Sequence, residues 1–297
     1  MSERMTRAQV PMEERIIRPG STCQGCGAAM AARLTFKVLG PNIIRHGIPC
    51  CPDHVSMNPS TGSVFEGGGA CLTGTARALK ALGRTDIKAV GFFGDGGTYD
   101  IGLQGLSAAA ERNENILVIT KDNEAYMNTG NQRSGATPKY AETTTNPVGP
   151  NSRGKSEPKK NIPMIFAAHY VPYIATASVA YPEDLMAKVK YAKDIEGFRM
   201  IIIQTPCPVG WRFDPARTIE IARAGVLSGI WPLYEIENGT SFKLNYKPKE
   251  LKPVAECLKP QGRFRHITET EVNEVQADVT ARWQKLLKAD ELHQVII

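Results

Sequence analysis

The chain has 297 residues, 42% of them hydrophobic, with 36 basic against 30 acidic side chains and a formal charge of +6. That length and apolar content suffice to bury the core of one large α/β domain. No run of 18 apolar residues offers a membrane span, and no Lys/Arg run interleaved with aromatics points to nucleic acid. The charged stretch Met1 to Arg18 lacks the apolar core of a secretion signal, which predicts a soluble, cytoplasmic protein. A modest basic excess of this kind can steer an acidic partner. Seven cysteines without a secretion signal argue for metal binding or buried thiols over a disulfide framework.

In chain order, residues 1–20 read as an extended N-terminal arm. A helical pattern runs from Gly27 to Gly40, where glycine stops it, and an apolar stretch from Asn42 to Pro49 leads into Cys50 and Cys51. The Ser-, Pro- and Gly-rich segment from Pro52 to Gly69 reads as a functional loop, and Ala70 to Leu82 as a small-residue helix. Lys88 to Phe93 has the continuous apolar character of a buried strand. It ends in Gly94-Asp95-Gly96-Gly97, and a helix is expected from Ile101 to Arg112. A second buried strand, Asn115 to Thr120, ends in Asp122-Asn123-Glu124. The polar stretch from Met127 to Lys160 is long enough to be either functional or disordered.

Beyond it the alternation resumes. A short helix is expected over Ile162 to His169, a strand over Tyr173 to Ala177 and a helix over Pro182 to Asp194. Met200 to Thr205 reads as a third strong strand, closed by Pro206-Cys207-Pro208, and Ile219 to Ser228 as helix. Leu233 to Ile236 and Ser241 to Leu244 flank Glu237-Asn238-Gly239-Thr240, a hairpin signal. A final helix spans about Glu271 to Lys288. The pattern predicts an α/β fold: a doubly wound, mostly parallel sheet with a C-terminal hairpin and helical arm. Residues 21–230 form the expected cofactor domain, and 231–297 an extension packing on partner subunits. The active site is expected at the C-terminal ends of the strands.

The turn after the first buried strand carries specific chemistry. Gly94, Gly96 and Gly97 let backbone N–H groups approach a phosphate, while Asp95 supplies a hard oxygen for a divalent cation. Asn123, 28 residues on and at the end of the neighbouring strand, offers a second ligand, and the carbonyl of Ala125 a third. Mg2+ bridging a diphosphate fits that set. Taken alone, Gly-Asp-Gly is a strand-to-helix turn with a capping Asp. Paired with Asn123 at this spacing, it points to thiamine diphosphate, and the fold class becomes that of a thiamine-diphosphate-binding domain.

Cys23 and Cys26 share one tight turn, Cys51 follows 25 residues later, and Cys207 closes the third strand. Four soft thiolates suit a 4Fe–4S cluster or Zn2+. The diphosphate turn tips the balance toward iron–sulfur, because electrons released at thiamine need an acceptor nearby. Cys50, beside Cys51, makes the third ligand ambiguous. Cys71 and Cys257 read as small core residues.

The runs CQGCGA (23–28), GDGGTYDIGLQGLS (94–107), DNEAYMNTGNQRSGATP (122–138), ATASVAYPED (175–184), PCPVGW (206–211) and LKPQGRF (258–264) resemble the beta subunit of pyruvate and related 2-oxoacid:ferredoxin oxidoreductases. The resemblance covers nearly the whole chain. It implies Cys23, Cys26, Cys51 and Cys207 as cluster ligands, with Cys51 preferred to Cys50. It implies Asp95, Asn123 and Ala125 at Mg2+, Gly94, Gly96 and Thr129 along the diphosphate, and Asn128 facing the thiazolium and substrate. Thiamine-dependent oxidative decarboxylation of a small 2-oxoacid would follow, with coenzyme A as acyl acceptor. A Glu acting at the aminopyrimidine and an onward electron path are missing from the chain, so alpha and ferredoxin-like (gamma/delta) subunits and an external ferredoxin are implied. Between Cys51 and Gly74 the chain departs from the pyruvate enzymes, which carry a longer, aromatic-containing segment there. That keeps oxalate, with CO2 alone as product, and branched 2-oxoacids open beside pyruvate. A non-redox thiamine decarboxylase with structural zinc is the remaining alternative.

Overall fold

The computed structural model describes residues 1–2, 5–6, 9–16, 21–51 and 58–296. Parts of the expected arm (3, 4, 7, 8 and 17–20) and of the expected loop (52–57) lie outside the described residues. Strands β1 (Ile43–Gly47), β2 (Ser60–Gly62), β3 (Lys88–Gly94) and β4 (Ile116–Asp122) form one half of the main sheet. The strands β7 (Tyr173–Ser178), β8 (Arg199–Gln204), β9 (Tyr234–Glu237) and β10 (Ser241–Leu244) form the other half, and β5 (Val148–Gly149) pairs separately with β6 (Ser152–Arg153). The order across the sheet is β10-β9-β7-β8-β4-β3-β1-β2. Every pairing between β2 and β7 is parallel. At the far edge β9 joins β7 antiparallel, and β10 pairs antiparallel with β9.

The helices are α1 (Gly27–Leu39), α2 (Gly68–Ala81), α3 (Leu103–Glu111), α4 (Ile162–Ala167), α5 (Pro182–Asp194), α6 (Pro208–Trp211), α7 (Thr218–Leu227), α8 (Ala255–Leu258) and α9 (Glu269–Leu292). They cover both sheet faces. Ala31 and Phe36 of α1 and Leu185 and Val189 of α5 pack with Val90, Phe92, Leu117, Ile119, Ile201 and Ile203. Leu72, Leu106 and Phe166, from α2, α3 and α4, pack on the opposite face with Ala89, Phe93, Val118, Met200 and Ile202. Alternate strand residues therefore point to two apolar layers. This is why the central strands read as unbroken hydrophobic runs.

The segment from residue 231 is continuous with this sheet. β9 pairs with β7 through Tyr173, Ile174 and Ala175, and Trp283, Leu286 and Ala289 of α9 enter the same core as Ile174. α9 starts at a capping box: Thr268 Oγ1 accepts from the Glu271 N–H at 3.3 Å, and Glu271 Oε2 accepts from the Thr268 N–H at 2.7 Å. Arg153, and the same capping contacts, hold the Glu271 carboxyl down at about 2. Replacing Thr268 by Ala is expected to lower stability by about 1 kcal/mol, read as a shift in the urea midpoint at constant slope.

Two local differences matter for the site. The helix expected from Ile101 is preceded by a π-helical turn, Gly96–Asp100, that begins directly after β3. The long polar stretch after Met127 is neither regular nor loose. Ala136, Thr137, Ala141 and Lys155 within it are buried, and Lys155 Nζ donates to the carbonyls of Thr137 and Pro158.

Candidate functional site

β3 and β4 are hydrogen-bonded neighbours, so their C-terminal ends carry Asp95 and Asn123 to the same point. Asp95 does not cap its own helix. Its buried carboxylate instead accepts from Ser134 Oγ at 2.6 Å and meets the Asn123 side chain. One atom of that amide lies 2.8 Å from the Ala125 carbonyl oxygen and 2.9 Å from Asp95 Oδ1. Turned one way, the amide N–H group donates to both oxygens; turned the other, three oxygens converge. Burial, then the neighbouring Asp122, push Asp95 well above the ordinary carboxylate range, with Ser134 and Lys159 opposing. A divalent cation would resolve the crowding of oxygens and restore the charged carboxylate. The donor set fits magnesium.

The glycines of the turn are explained by packing as much as by access. A Cβ on Gly96 would stand 2.3 Å from the Tyr126 ring, and one on Gly97 would stand 2.1 Å from Ile48 Cδ1. A Cβ on Gly94 would meet only Cys50, at an ordinary 3.7 Å. Asn128 and Thr129 are not drawn into the Asp95–Asn123 contact. Both are exposed on the turn after Tyr126, where the Thr129 hydroxyl donates to Gln132 Oε1.

The thiols come from three separate segments. Cys26 N–H donates to the Cys23 carbonyl at 3.2 Å, closing the Cys-Gln-Gly-Cys turn. Gly25 holds φ 67°, and a Cβ there would lie 2.3 Å from the Pro215 carbonyl oxygen. Gly27 N–H donates to the Pro206 carbonyl at 3.2 Å, so the turn is docked on the segment that carries Cys207. Burial, then Cys50 and Cys207, and more weakly Cys26, push the Cys51 thiol up to about 12 against the pull of Lys121. Burial raises Cys207 as well, with Cys26 and Cys23 adding to it. Cys23, Cys26, Cys51 and Cys207 thus occupy one neighbourhood. Among the described residues, no three His, Cys, Asp or Glu side chains close to ligating geometry, so the thiols share a field and not a preformed cage. Cys50 points elsewhere: its Sγ accepts from Lys121 Nζ at 3.0 Å. Cys257 is buried as expected. Cys71 is not, and the expectation of a core residue is corrected: it falls on the outer face of α2, whose buried positions are Gly68, Gly69, Leu72 and Leu79.

Residues 54–203 match the thiamine pyrophosphate enzyme C-terminal TPP-binding domain. Over 283 residues the chain is 49% identical to the pyruvate synthase subunit PorB of Methanothermobacter thermautotrophicus, covering 92% of this chain and 98% of the relative. It is 43% identical to the ketoisovalerate oxidoreductase subunit VorB of Pyrococcus abyssi, covering 96% of each. The chain belongs to the beta subunits of the 2-oxoacid:ferredoxin oxidoreductases. A solved 2-oxoglutarate:ferredoxin oxidoreductase from Magnetococcus marinus shares the fold of this beta subunit, with a TM-score of 0.59 over 75% of this chain and 84% of that one at 21% identity. The subunit carries a thiamine-diphosphate-binding domain and is part of an oxidoreductase, which sets aside the non-redox alternative. Among its described residues, no helix is long and apolar enough to cross a membrane.

Sequence reasoning missed the groups behind the turn at Asn123 and Glu124 of this beta subunit. Lys159 Nζ pairs with Asp122 Oδ2 at 2.8 Å and Glu124 Oε1 at 3.0 Å, and Arg263 pairs with Glu124 Oε2 at 2.5 Å. Tyr99 donates to Asp122 at 2.6 Å. Burial raises Asp122; it acts on Glu124 too, but Lys159 and Arg263 outweigh it and hold that carboxyl below its usual range. The signal was indirect: Tyr99, Asp122, Glu124 and Arg263 fall within three of the runs that carry the family resemblance, and Lys159 falls within none.

Proposed function

We propose that this beta subunit holds thiamine diphosphate through Mg2+ bound by Asp95, Asn123 and the Ala125 carbonyl, for the oxidative decarboxylation of a small 2-oxoacid. The observation that carries the reading is the convergence of the Asp95 carboxylate, the Asn123 side-chain amide and the Ala125 carbonyl at the ends of β3 and β4. Gly94, Gly96, Gly97 and Thr129 would line the diphosphate, and Asn128, on an exposed turn, would face the thiazolium and substrate. When bound, thiamine supplies the electron sink that C–C cleavage beside a carbonyl needs. The protein's own work is to orient: Ser134 fixes the Asp95 carboxylate, and the neighbouring strands fix the distance from Asp95 to Asn123.

Cys23, Cys26, Cys51 and Cys207 would hold a 4Fe–4S cluster, which would supply an electron acceptor. The support is that Cys51 and Cys207, both partly buried, lie in one neighbourhood with Cys26 and the exposed Cys23. Alpha and ferredoxin-like gamma/delta subunits complete the enzyme in the cytoplasm, with residues 231–297 packing on them, and external ferredoxin accepts the electrons. The substrate is of the pyruvate or branched-chain class, in line with the names of the relatives, and coenzyme A takes the acyl group.

The test is an anaerobic assay of the assembled complex with pyruvate, 2-oxoisovalerate and oxalate, with and without coenzyme A. Ferredoxin reduction is expected with one of the first two, dependent on thiamine diphosphate, Mg2+ and coenzyme A. Turnover of oxalate alone, independent of coenzyme A, would reassign the substrate. No ferredoxin reduction with any of the three would overturn the reading.

A further inference from the structure

Glu124 stands between Asn123 and Ala125, so whatever fixes Glu124 fixes two of the three ligand groups. Its backbone is left-handed, at φ 66°, a conformation that a non-glycine residue keeps only when its surroundings impose it. The carbonyls along this turn are not equivalent. That of Asn123 accepts from Trp211 Nε1 at 2.8 Å, and that of Glu124 accepts from Thr137 Oγ1 at 2.6 Å. The third, of Ala125, meets the Asn123 amide beside Asp95. Two carbonyls are taken by donors from distant elements, and among the described residues the next meets only the Asn123 amide beside Asp95.

The Glu124 side chain is clamped from two sides, by Arg263 at 2.5 Å and Lys159 at 3.0 Å. Arg263 lies in turn over the Trp211 ring, 3.9 Å from its centroid. A single stacked pair, Trp211 with Arg263, therefore bonds to two successive residues of the turn. A buried ion pair is a weak source of stability but a strong source of fixed geometry.

We infer that Glu124, gripped by Arg263 and Lys159, is a positioning residue that aims the Asn123 side chain and the Ala125 carbonyl at the metal. The inference rests on the reading of this turn as the magnesium site. It also gives the segment around Gln261-Gly262-Arg263 a task inside the cofactor site, 139 residues away from Glu124 in sequence.

The experiment strips the assembled complex of metal and titrates Mg2+ at fixed thiamine diphosphate, following binding by calorimetry and the melting of the apo complex. Glu124→Gln is expected to raise the half-saturating Mg2+ about 10- to 100-fold, as loss of an outer partner of a metal ligand does. The turnover rate at saturating Mg2+ should fall by less. Arg263→Lys, which keeps the charge, should shift the half-saturation less than Glu124→Gln. Trp211→Phe leaves every buried charge paired and should shift it in the same direction. If Glu124→Gln lowers the melting temperature and leaves the Mg2+ requirement unchanged, Glu124 is merely structural and the inference fails. Should that variant not assemble, an unchanged Mg2+ requirement in Trp211→Phe overturns it equally. Wild-type complex that binds thiamine diphosphate equally well without a divalent cation would remove the underlying reading instead.

Discussion

Asp95→Asn is expected to lose thiamine diphosphate binding while leaving the subunit folded. The substitution keeps the volume and a hydrogen-bonding partner for Ser134, whose hydroxyl sits 2.6 Å from the carboxylate. It removes one negative charge from a fully buried position that burial and Asp122 already push toward the neutral acid. Without metal, that charge costs stability, so the apo complex of the Asp95→Asn variant should melt at the same temperature as the wild type or higher. With metal, the balance reverses. The cation loses its only anionic ligand among the three groups, and the affinity for Mg2+ and thiamine diphosphate together should fall by more than the roughly 100-fold that loss of a ligand's neighbour brings. A thermal-shift titration separates the two effects. A variant that still gains a thiamine-dependent increase in melting temperature, and still turns over, would show that Asp95 does not carry the metal.

The second large effect concerns the paired thiols. Cys51→Ser should yield a complex that has lost one cluster's share of the iron and of the broad brown absorbance, the ferredoxin-like subunit keeping its own, and that no longer reduces ferredoxin. Cys50→Ser should keep all three. The reason is the direction each side chain takes from adjacent backbone positions. Cys51 lies in the field of Cys207 and Cys26 as well as of Cys50 and Lys121, whereas the Cys50 thiol is itself bonded by Lys121, 3.0 Å away, and sits on the Gly94 side of the turn. Iron analysis and visible spectra of anaerobically purified variants decide it. Loss of iron in Cys50→Ser alone would move the third ligand by one residue. Zinc in place of iron in the wild type would end the electron-transfer reading.

What was legible in the sequence was what neighbouring residues impose on one another. The central strands were visible because both faces of each are buried. Apolar residues therefore run unbroken through Val90, Phe92 and Phe93 and through Leu117, Val118 and Ile119. The helix over Pro182–Asp194 begins at a proline suited to a first turn and carries Glu183 and Asp184 there. Asp95 and Asn123 could be paired because each follows a strand end directly, and parallel neighbours bring such ends together.

By itself, then, the chain of residues determined the central strands and the C-terminal hairpin, most of the helices, the Gly-Asp-Gly turn and the set of cysteines, all of which follow from local periodicity, turn chemistry and short spacings. Tertiary structure alone decided the rest: that β9 adds to β7, that Cys71 faces outward, that Cys50 and Cys51 diverge, and that Ser134 and not a helix N-terminus engages Asp95. It alone brought Arg263, Lys159 and Trp211 onto the turn at Asn123 and Glu124. The physical reason is common to these cases. A contact between residues far apart in the chain depends on which two faces meet, and a local period shows that a face is buried without showing what it packs against.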